Sequence, residues 1–377
     1  MMIGQLEQKV RVAVVGLGFG RHFAPIYQAH RNSVLEAICC LNETQVREVG
    51  DKYKVKKLYT DYQEVLDDKD IDAIHIVTPC QDHAWMSIAA MKAGKHTACT
   101  VPVGMSLNEI REVVKTQKET GMTYMMMETA IFTREYLYIQ NLRDNGKIGK
   151  IQFVRGSHLQ DMSIEGWSEF WNGLPPMWYS THCVGPCLEI VNAGGLAHSV
   201  SCRGSGTIRE DYIPLYNSPF SFETAHLKVR NSDVICEVSR FVHGVTRQYC
   251  ETLDVYGSKT SVEWRRKSDD GLLLFNGGEN VEIIDPPDAT ENLPEEIMAF
   301  TLGETVSHKE HASFIQGRGH GGSYPHLVNE FVGAIIEGRK PLIDIVKAAN
   351  WSAVGFCAHQ SALEGGESID IPDYSKI

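Results

Sequence analysis

Short apolar runs alternate with amphipathic stretches along the first 128 residues. Residues 10–15, VRVAVV, form an unbroken apolar run typical of a strand buried on both faces of a parallel sheet. Strands that alternate with helices predict the α/β class with a doubly wound parallel sheet. The further predicted strands are 34–41, 57–59, 73–79 and 96–101, and the predicted helices are 43–53, YQEVLDD from Tyr62, 83–94 and 107–121.

The second half of the chain has a different pattern. Between about residues 198 and 265, segments such as AHLKVRNSDVICEVSRF alternate apolar and polar residues with a period of two. This pattern predicts a large, open, mainly antiparallel sheet. A chain of 377 residues also exceeds the roughly 250–300 residues at which single cores stop growing. We therefore expect a doubly wound domain over 1–128 and a second α/β domain over 129–377.

Composition narrows the function classes. The chain is 43% hydrophobic and 22% charged, and it has no apolar run of the roughly 20 residues that cross a bilayer. The net charge of −12 argues against a nucleic-acid or anionic-membrane partner, because such partners need a clustered basic surface. A small-molecule partner is expected. The first residues are polar where a signal peptide has its apolar stretch, which predicts a cytoplasmic location.

The ten cysteines are scattered, and none forms a CxxC pair. In a chain of this size they are expected to be buried thiols in a reducing compartment. Cys183 and Cys187 lie next to His182, but the second ligand pair of a zinc site is missing. No metal site is predicted.

A glycine-rich turn follows the first predicted strand. Gly16 and Gly18 occupy the first two positions of a G-x-G-x-x-G fingerprint, and a helical pattern follows them. Gly16 permits the tight turn, and Gly18 lets the backbone approach a pyrophosphate. The third position holds Arg21, with Gly20 just before it. The context of strand, glycine turn and helix predicts a Rossmann domain that binds a dinucleotide.

The second predicted strand ends without an acidic residue. An acid about 20 residues beyond the glycines normally binds the adenosine ribose, yet this strand ends in Cys39-Cys40-Leu41-Asn42. Asn42 can bond a ribose hydroxyl. NAD is the expected cofactor, and the absence of an acid leaves NADP compatible.

Several segments together resemble one known family. They are GLGFGRHF, DAIHIVTPCQDHAWMSIAAMKAGKHTACTVP, DNGKIGKIQFVRGSH and HLVNEFVGAIIEGRKPLID. The chain is similar over most of its length to the glucose-fructose oxidoreductase, inositol dehydrogenase and MocA-like (Gfo/Idh/MocA) family. The resemblance implies a Rossmann domain, a second domain whose open sheet supports a homodimer or homotetramer, and oxidation of a sugar or cyclitol with NAD or NADP. The predicted cofactor-binding residues are Gly16, Gly18, Phe19, Gly20, Asn42, Thr78, Pro79, His83, Thr100 and Pro102.

Two positions depart from the family pattern. The family's Glu-Lys-Pro is replaced by Thr100-Val101-Pro102, so the lysine that lies near the nicotinamide in typical members is absent. The family's Asp four residues before a His is also replaced, because MWYSTHCVGP has Trp178 at that position and keeps His182. Other groups must then supply the catalytic chemistry.

Polar residues near the domain junction are candidates for that chemistry. His182 is the predicted general base, because histidine accepts a proton near neutral pH without large tuning. Glu128, His158 and Asp161 are predicted to orient it or the substrate. Alternative readings are that Glu128 and Arg134 form a structural ion pair and that His158 is a satisfied, partly buried histidine.

The same regions supply candidates for substrate binding. Arg134 occupies a position where the family often has an arginine, and aromatics between residues 167 and 178 can stack on sugar faces or belong to the core. The predicted substrate-binding residues are Arg134, Trp178, Tyr179 and His320.

Three functions are compatible with this pattern. The leading hypothesis is an NAD(P)-dependent oxidoreductase that takes hydride from a secondary alcohol of a sugar, glycoside or cyclitol. A second is an enzyme that oxidises a ring carbon transiently and thereby eliminates or cleaves a glycoside. A third is a catalytically silent nucleotide-binding sensor or assembly protein, for which the loss of both Lys and Asp is the argument.

Overall fold

The computed structural model describes residues 9–163, 168–192, 194–206, 210, 213–247, 249–264, 270–302, 320 and 322–377. These ranges contain a six-stranded and a nine-stranded sheet. The first sheet has the order β3-β2-β1-β4-β5-β6, and all its strand pairs are parallel. Its strands are β1 Val10–Val15, β2 Ser33–Cys39, β3 Lys57–Tyr59, β4 Ala73–Ile76, β5 His96–Cys99 and β6 Tyr124–Met126.

Helices connect the strands of the first sheet, as the alternating pattern predicted. Asn42 caps one of them by accepting a hydrogen bond from Gln45 N at 3.1 Å, and Ser106 caps another by accepting from Glu109 N at 3.2 Å. Caps of this kind fix where each helix leaves the sheet. The helices are α1 Leu17–Gly20, α2 Ala24–Ala29, α3 Glu43–Tyr53, α4 Tyr62–Asp67, α5 His83–Lys92 and α6 Leu107–Thr120, with a 3₁₀ turn at Cys80–Asp82.

Three strands of this sheet are shorter than predicted. The strands expected over 34–41, 73–79 and 96–101 end at Cys39, Ile76 and Cys99. The residues beyond these ends form the loops at the carboxyl edge of the sheet. The apolar run alone could not separate strand from loop there, because most of the residues beyond the strand ends, such as Leu41, Val77 and Val101, are also apolar.

The second sheet has the order β14-β13-β12-β11-β7-β10-β9-β8-β15. Only the β7–β10 pair is parallel among the described pairs, and the others are antiparallel. Its strands are β7 Ile151–Gln160, β8 Ala197–Ser205, β9 Phe222–Val229, β10 Ile235–Phe241, β11 Tyr249–Gly257, β12 Ser261–Glu263, β13 Leu272–Phe275, β14 Val281–Ile284 and β15 Ile369–Asp370.

The sheet extends beyond the range predicted for it. The sequence pattern placed it at 198–265, whereas β7 lies in its middle and β13, β14 and β15 follow later in the chain. The helices and 3₁₀ turns of this half are α7 Arg134–Asp144, α8 Thr181–Val191, α9 Ile213–Tyr216, α10 Glu295–Met298, α11 Tyr324–Glu337, α12 Ile345–Leu363, and the 3₁₀ turns Thr129–Phe132, Glu169–Trp171, Pro176–Tyr179, Ala299–Thr301 and Tyr374–Lys376.

Helix α8 packs closely on the centre of the second sheet. A Cβ atom on Gly156 of β7 would lie 2.6 Å from Cys187 Sγ and 2.9 Å from the carbonyl oxygen of Cys183, so only glycine permits this approach. The first turn of α8 therefore lies beside the end of β7. This packing determines the position of the candidate site.

Helix α12 joins the two halves of the molecule. It contacts β8 of the second sheet and α6 and β6 of the first. Ser352 Oγ accepts a hydrogen bond from Val103 N at 3.1 Å, and the fully buried Trp351 donates its indole N–H to Gly195 O at 2.5 Å. The loop after β5 is thus fixed against the second half.

All ten cysteines are free thiols, and nine of them are buried. Burial raises the pKa of the Cys183 and Cys99 thiols to about 12. None of the helices in the described ranges combines the length and apolarity that crossing a membrane requires.

Candidate active site

A cleft lies where the carboxyl edge of the first sheet meets the second half. β1 and β4 are neighbours in the sheet but not in sequence, which marks the topological switch point where ligands bind in such sheets. The cleft is lined by eight of the predicted site residues, namely Phe19, Thr78, Pro79, His83, Thr100, Tyr179, His182 and His320.

Each of the three glycines in the turn meets a different steric requirement. Gly16 has φ +90°, and a Cβ there would lie 2.4 Å from Val77 O. A Cβ on Gly20 would lie 2.9 Å from Val14 Cγ1, so Gly20 provides the close helix–strand packing that the fingerprint's third glycine normally provides. Nothing lies within 4 Å of a Cβ built on Gly18. That open space over the backbone fits a pyrophosphate group.

His83 joins two loops at the edge of the cleft. Its Nδ1 lies 2.7 Å from Pro102 O, and its Nε2 lies 2.9 Å from Thr78 O and 3.1 Å from Thr100 Oγ1. The ring is buried, and burial lowers its pKa although the two carbonyl oxygens act in the opposite direction. The neighbouring Val101 is 5% exposed and lines the cleft at the position where the lysine is missing.

His182 and Glu128 form a buried hydrogen-bonded pair at the cleft. His182 stands in the first turn of α8, and its Nδ1 lies 2.6 Å from Glu128 Oε1. The same carboxylate oxygen accepts from Ala130 N at 2.9 Å and so caps the 3₁₀ turn at Thr129–Phe132. Burial lowers the pKa of His182, but the Glu128 carboxylate more than offsets this, and the pKa lies above its ordinary value.

His158 lies beside His182 without exposure to solvent. It stands near the end of β7, and the two imidazole rings meet edge to face with centroids 4.8 Å apart. Burial holds the pKa of His158 well below its ordinary value. The two neighbouring imidazoles thus have pKa values shifted in opposite directions.

Strand β11 contributes two residues that the sequence analysis missed. Tyr249 lines the cleft and donates its hydroxyl to Glu251 Oε1 at 2.7 Å. Burial raises the pKa of Glu251 and holds that of Tyr249 well above 10. Glu251 shares a buried strand face with Leu253, and a glutamate at a core-facing position was the signal available in the sequence.

His320 completes this side of the cleft. Its Nε2 lies 3.5 Å from Tyr249 Oη, and its Nδ1 lies 2.7 Å from Tyr324 Oη. The His320 and His182 rings stack with centroids 6.3 Å apart. Two hydrogen-bonded acid–base groups, His182 with Glu128 and Tyr249 with Glu251, therefore face one cleft.

His158, His182 and Glu251 each offer a ligand atom within 4.8 Å of the others, a spacing that a cation could bridge. The buried Arg240 guanidinium acts electrostatically on all three side chains. This positive charge opposes a second cation, so we retain the interpretation that the cluster is an acid–base site.

Among the predicted site residues outside the cleft lining, three have other structural roles. Arg134 pairs with Asp285 at 2.5 Å and Glu135 at 3.4 Å, in a different pocket, so it neither pairs with Glu128 nor reaches the site. Asp161 accepts hydrogen bonds from Ser163 and Gly244 N and stabilises a turn. Trp178 packs on Phe356 and His359, and Trp171 lines the cleft in its place.

Asn42 lies at the carboxyl end of β2 with its side-chain oxygen engaged in capping α3. Its amide nitrogen forms no hydrogen bond in the described part of the chain. Its predicted contact with the adenosine ribose stays a prediction.

Comparison with known proteins gives a family match for the first half of the chain. Residues 10–128 match the Gfo/Idh/MocA model, described as an oxidoreductase family with an NAD-binding Rossmann fold. Residues 303–377 match the C-terminal domain of glycosyl hydrolase 109. The first match confirms the predicted Rossmann fold, the NAD cofactor and the oxidoreductase class.

Relatives are similar over nearly the whole chain. A glycosyl hydrolase family 109 protein of Stenotrophomonas maltophilia is 24% identical over 98% of this chain and 89% of its own length. An alpha-N-acetylgalactosaminidase of Shewanella oneidensis is 25% identical over 100% of this chain and 88% of its own length.

Solved structures of dehydrogenases share the fold. Levoglucosan dehydrogenase in complex with NADH and levoglucosan aligns with a TM-score of 0.77 at 20% identity, covering 97% of this chain and 100% of that one. Myo-inositol 2-dehydrogenase from Lactobacillus plantarum aligns with a TM-score of 0.73 at 23% identity, with the same coverage of both chains.

Proposed function

We propose that this protein is an NAD-dependent oxidoreductase that acts on a secondary alcohol of a sugar, glycoside or cyclitol, with His182 as the proton acceptor. The observation that carries the proposal is the buried His182–Glu128 pair at a cleft beside the glycine turn. Solved structures with this fold include dehydrogenases of levoglucosan and myo-inositol, which supports a carbohydrate or cyclitol substrate.

Residues of the first half would hold the cofactor. The open space over Gly18 fits the pyrophosphate, and Phe19, Thr78 and Thr100 line the path towards the cleft. When bound, the nicotinamide accepts a hydride from the substrate carbon. The chain's own residues must then bind the alcohol, exclude water and remove the hydroxyl proton.

His182 is placed to remove that proton. Its Nδ1–H is engaged by the Glu128 carboxylate, which leaves Nε2 as the nitrogen that exchanges a proton with substrate. As the imidazole becomes an imidazolium, the carboxylate 2.6 Å away stabilises the positive charge. The pair therefore performs general base catalysis without a lysine at position 101.

The walls of the cleft suit a sugar ring. Trp171, Tyr179 and Tyr249 contribute aromatic surface, and Gln160 and Thr129 contribute neutral polar groups. Aromatic rings stack on the apolar face of a sugar, while neutral polar groups bind its hydroxyls.

A second candidate function is cleavage of a glycoside by transient oxidation. The specific observations that favour it are the whole-chain similarity to family 109 glycosidases and the second acid–base group of Tyr249 with Glu251. A ketone at one ring carbon acidifies the neighbouring C–H. His182, after releasing the hydroxyl proton to solvent, would take that proton, the bond to the leaving oxygen would break, and Tyr249 would donate its proton to that oxygen. Water would then add to the resulting double bond, and return of the hydride to the oxidised ring carbon would restore the alcohol and NAD.

One assay separates these functions. The wild-type enzyme with NAD is incubated with a panel of sugars, cyclitols and glycosides, and both reduced nicotinamide and released aglycone are measured. Net reduced nicotinamide supports the oxidoreductase, and aglycone release without net reduction supports transient oxidation. If no compound yields either reduced nicotinamide or aglycone, both enzymatic functions are contradicted and the silent-sensor hypothesis is favoured. That hypothesis does not explain why two buried acid–base groups lie at one cleft.

We propose a homodimer or homotetramer built on the open face of the second sheet. Side chains of β7, β9 and β10 on that face are partly exposed, including Phe153, Phe241 and Ile235. Light scattering after size exclusion tests this assembly. We also propose the domain boundary at residue 128 and a cytoplasmic location, which the ten free thiols support.

A further inference from the structure

Arg240 is a fully buried arginine beneath the candidate site. It stands on β10 with no exposed surface, and it forms no ion pair with a described residue. Its Nε donates to Tyr179 O at 2.8 Å, and its Nη1 donates to His158 O at 3.1 Å and to Phe241 O. Burying a guanidinium without a carboxylate partner costs free energy of folding, so the contacts of Arg240 need a functional explanation.

The remaining nitrogen of Arg240 determines how one cleft residue is oriented. Nη2 of Arg240 lies 3.3 Å from Oε1 of Gln160, the last residue of β7. A guanidinium has only donors, so the amide oxygen of Gln160 must face Arg240 and the amide NH₂ must point the other way. This orientation follows from chemistry and does not depend on how the two amide atoms were assigned.

The NH₂ group of Gln160 is available to a ligand. Gln160 lines the cleft, and its amide nitrogen donates to no other described residue. The cation also lies 5.7 Å from the centre of the Tyr179 ring, which forms part of the same wall. Arg240 thus fixes both Tyr179 and Gln160 from behind.

We propose that Gln160 is a specificity-determining residue that donates a hydrogen bond to a hydroxyl oxygen of the substrate, and that Arg240 is its positioning residue. This inference rests on the proposed function, because it needs a sugar in the cleft. A neutral oxygen fits better than a carboxylate, because the Glu128 and Glu251 carboxylates are hydrogen-bonded to His182 and Tyr249 of the cleft lining and would repel a second anion.

The first test couples a mutation to a substrate change. Wild type, Gln160→Met and the control Gln360→Met, an exposed glutamine that pairs with Glu364, are assayed on one glycoside and its monodeoxy analogues. If Gln160 binds one oxygen, the kcat/KM of wild type and control should be about 10-fold lower on one deoxy analogue than on the parent glycoside. Gln160→Met should have the same kcat/KM on that analogue as on the parent. Equal deoxy penalties in all three proteins would overturn the inference.

Two further variants test the polarity and the positioning. Gln160→Glu should reject the deoxyfluoro analogue at the same position, since fluorine can accept but not donate a hydrogen bond, whereas wild type should retain it. Arg240→Lys should reproduce the position-specific loss of Gln160→Met with unchanged NAD affinity. If Arg240→Lys has an equally lowered kcat on every analogue, Arg240 has no positioning role. If Gln160→Glu accepts the fluoro analogue, Gln160 is not a hydrogen-bond donor to that position.

Failure of the proposed function can be distinguished from failure of this inference. A wild-type enzyme that is inactive on every glycoside would remove the proposed function and this inference together. An active wild type whose deoxy penalties do not depend on Gln160 would remove only the inference.

Discussion

Nδ1 of His182 lies 2.6 Å from Oε1 of Glu128, and both side chains are almost completely buried, with His182 lining the cleft. The two residues come from different elements, the start of α8 and the segment that follows β6. Their contact therefore depends on the packing of the two halves. It gives a histidine base an orienting carboxylate, an arrangement that recurs in acid–base catalysis.

Removing the base should abolish most of the activity. We expect His182→Ala to lower kcat by roughly 10²- to 10⁴-fold, the usual contribution of a positioned general base. Because the imidazole does not belong to the glycine turn, the dissociation constant for NAD should change much less. Steady-state kinetics with saturating NAD and a calorimetric titration measure the two effects. Near wild-type kcat would exclude His182 as the base.

The pH dependence of kcat/KM should reflect the effect of the Glu128 carboxylate on the pKa of His182. His182 must be deprotonated to act as a base, and its pKa is raised above the ordinary 6.5, so kcat/KM should fall as pH drops through that raised pKa. Glu128→Gln removes the negative charge, which lowers the pKa of His182 and moves this acidic limb to lower pH. An unchanged limb in Glu128→Gln would show that another group controls it.

Two glycines of one turn offer a matched pair of variants. Gly18→Val should weaken NAD binding by about an order of magnitude without lowering the melting temperature, since nothing in the protein lies within 4 Å of the added Cβ. Gly20→Val should lower the melting temperature, because its Cβ would meet Val14 Cγ1 at 2.9 Å. Calorimetric titration and thermal unfolding of both variants test the assignment. Unchanged NAD affinity in Gly18→Val would place the dinucleotide elsewhere.

Restoring a lysine at the turn after β5 should not help. Val101 is 5% exposed and belongs to the apolar core, so Val101→Lys buries an ammonium group that lacks the partners of typical family members. We expect no rise in kcat and a lower melting temperature. A strong gain in kcat would mean that the Thr100-Val101-Pro102 sequence marks a loss of function.

The sequence predicted most of the first domain because its signals are local. The runs at 10–15, 43–53 and 57–59 coincide with β1, α3 and β3. The second sheet was harder, since the place of β7 between β11 and β10 is set by contacts distant in sequence. No periodicity records such pairing order.

The site was predictable where one residue carried a signal of its own. Glu128 and His158 do contact His182, which lines the cleft. Which tryptophan faces the cleft depends on the turns at Glu169–Trp171 and Pro176–Tyr179, so Trp171 and Trp178 could not be told apart from sequence. The orientation of Gln160 could not be predicted from the sequence either, because it depends on Arg240 on another strand.

The central claim is that His182 removes a proton from an alcohol whose carbon gives hydride to the cofactor. A single-turnover experiment tests it most directly. Enzyme with bound NAD is mixed with excess glycoside, and the absorbance of reduced nicotinamide is followed for wild type and His182→Ala. We predict that the signal rises in wild type, as a lasting or a transient change, and forms roughly 10²-fold or more slowly in His182→Ala. A signal that forms equally fast in both proteins would contradict the claim.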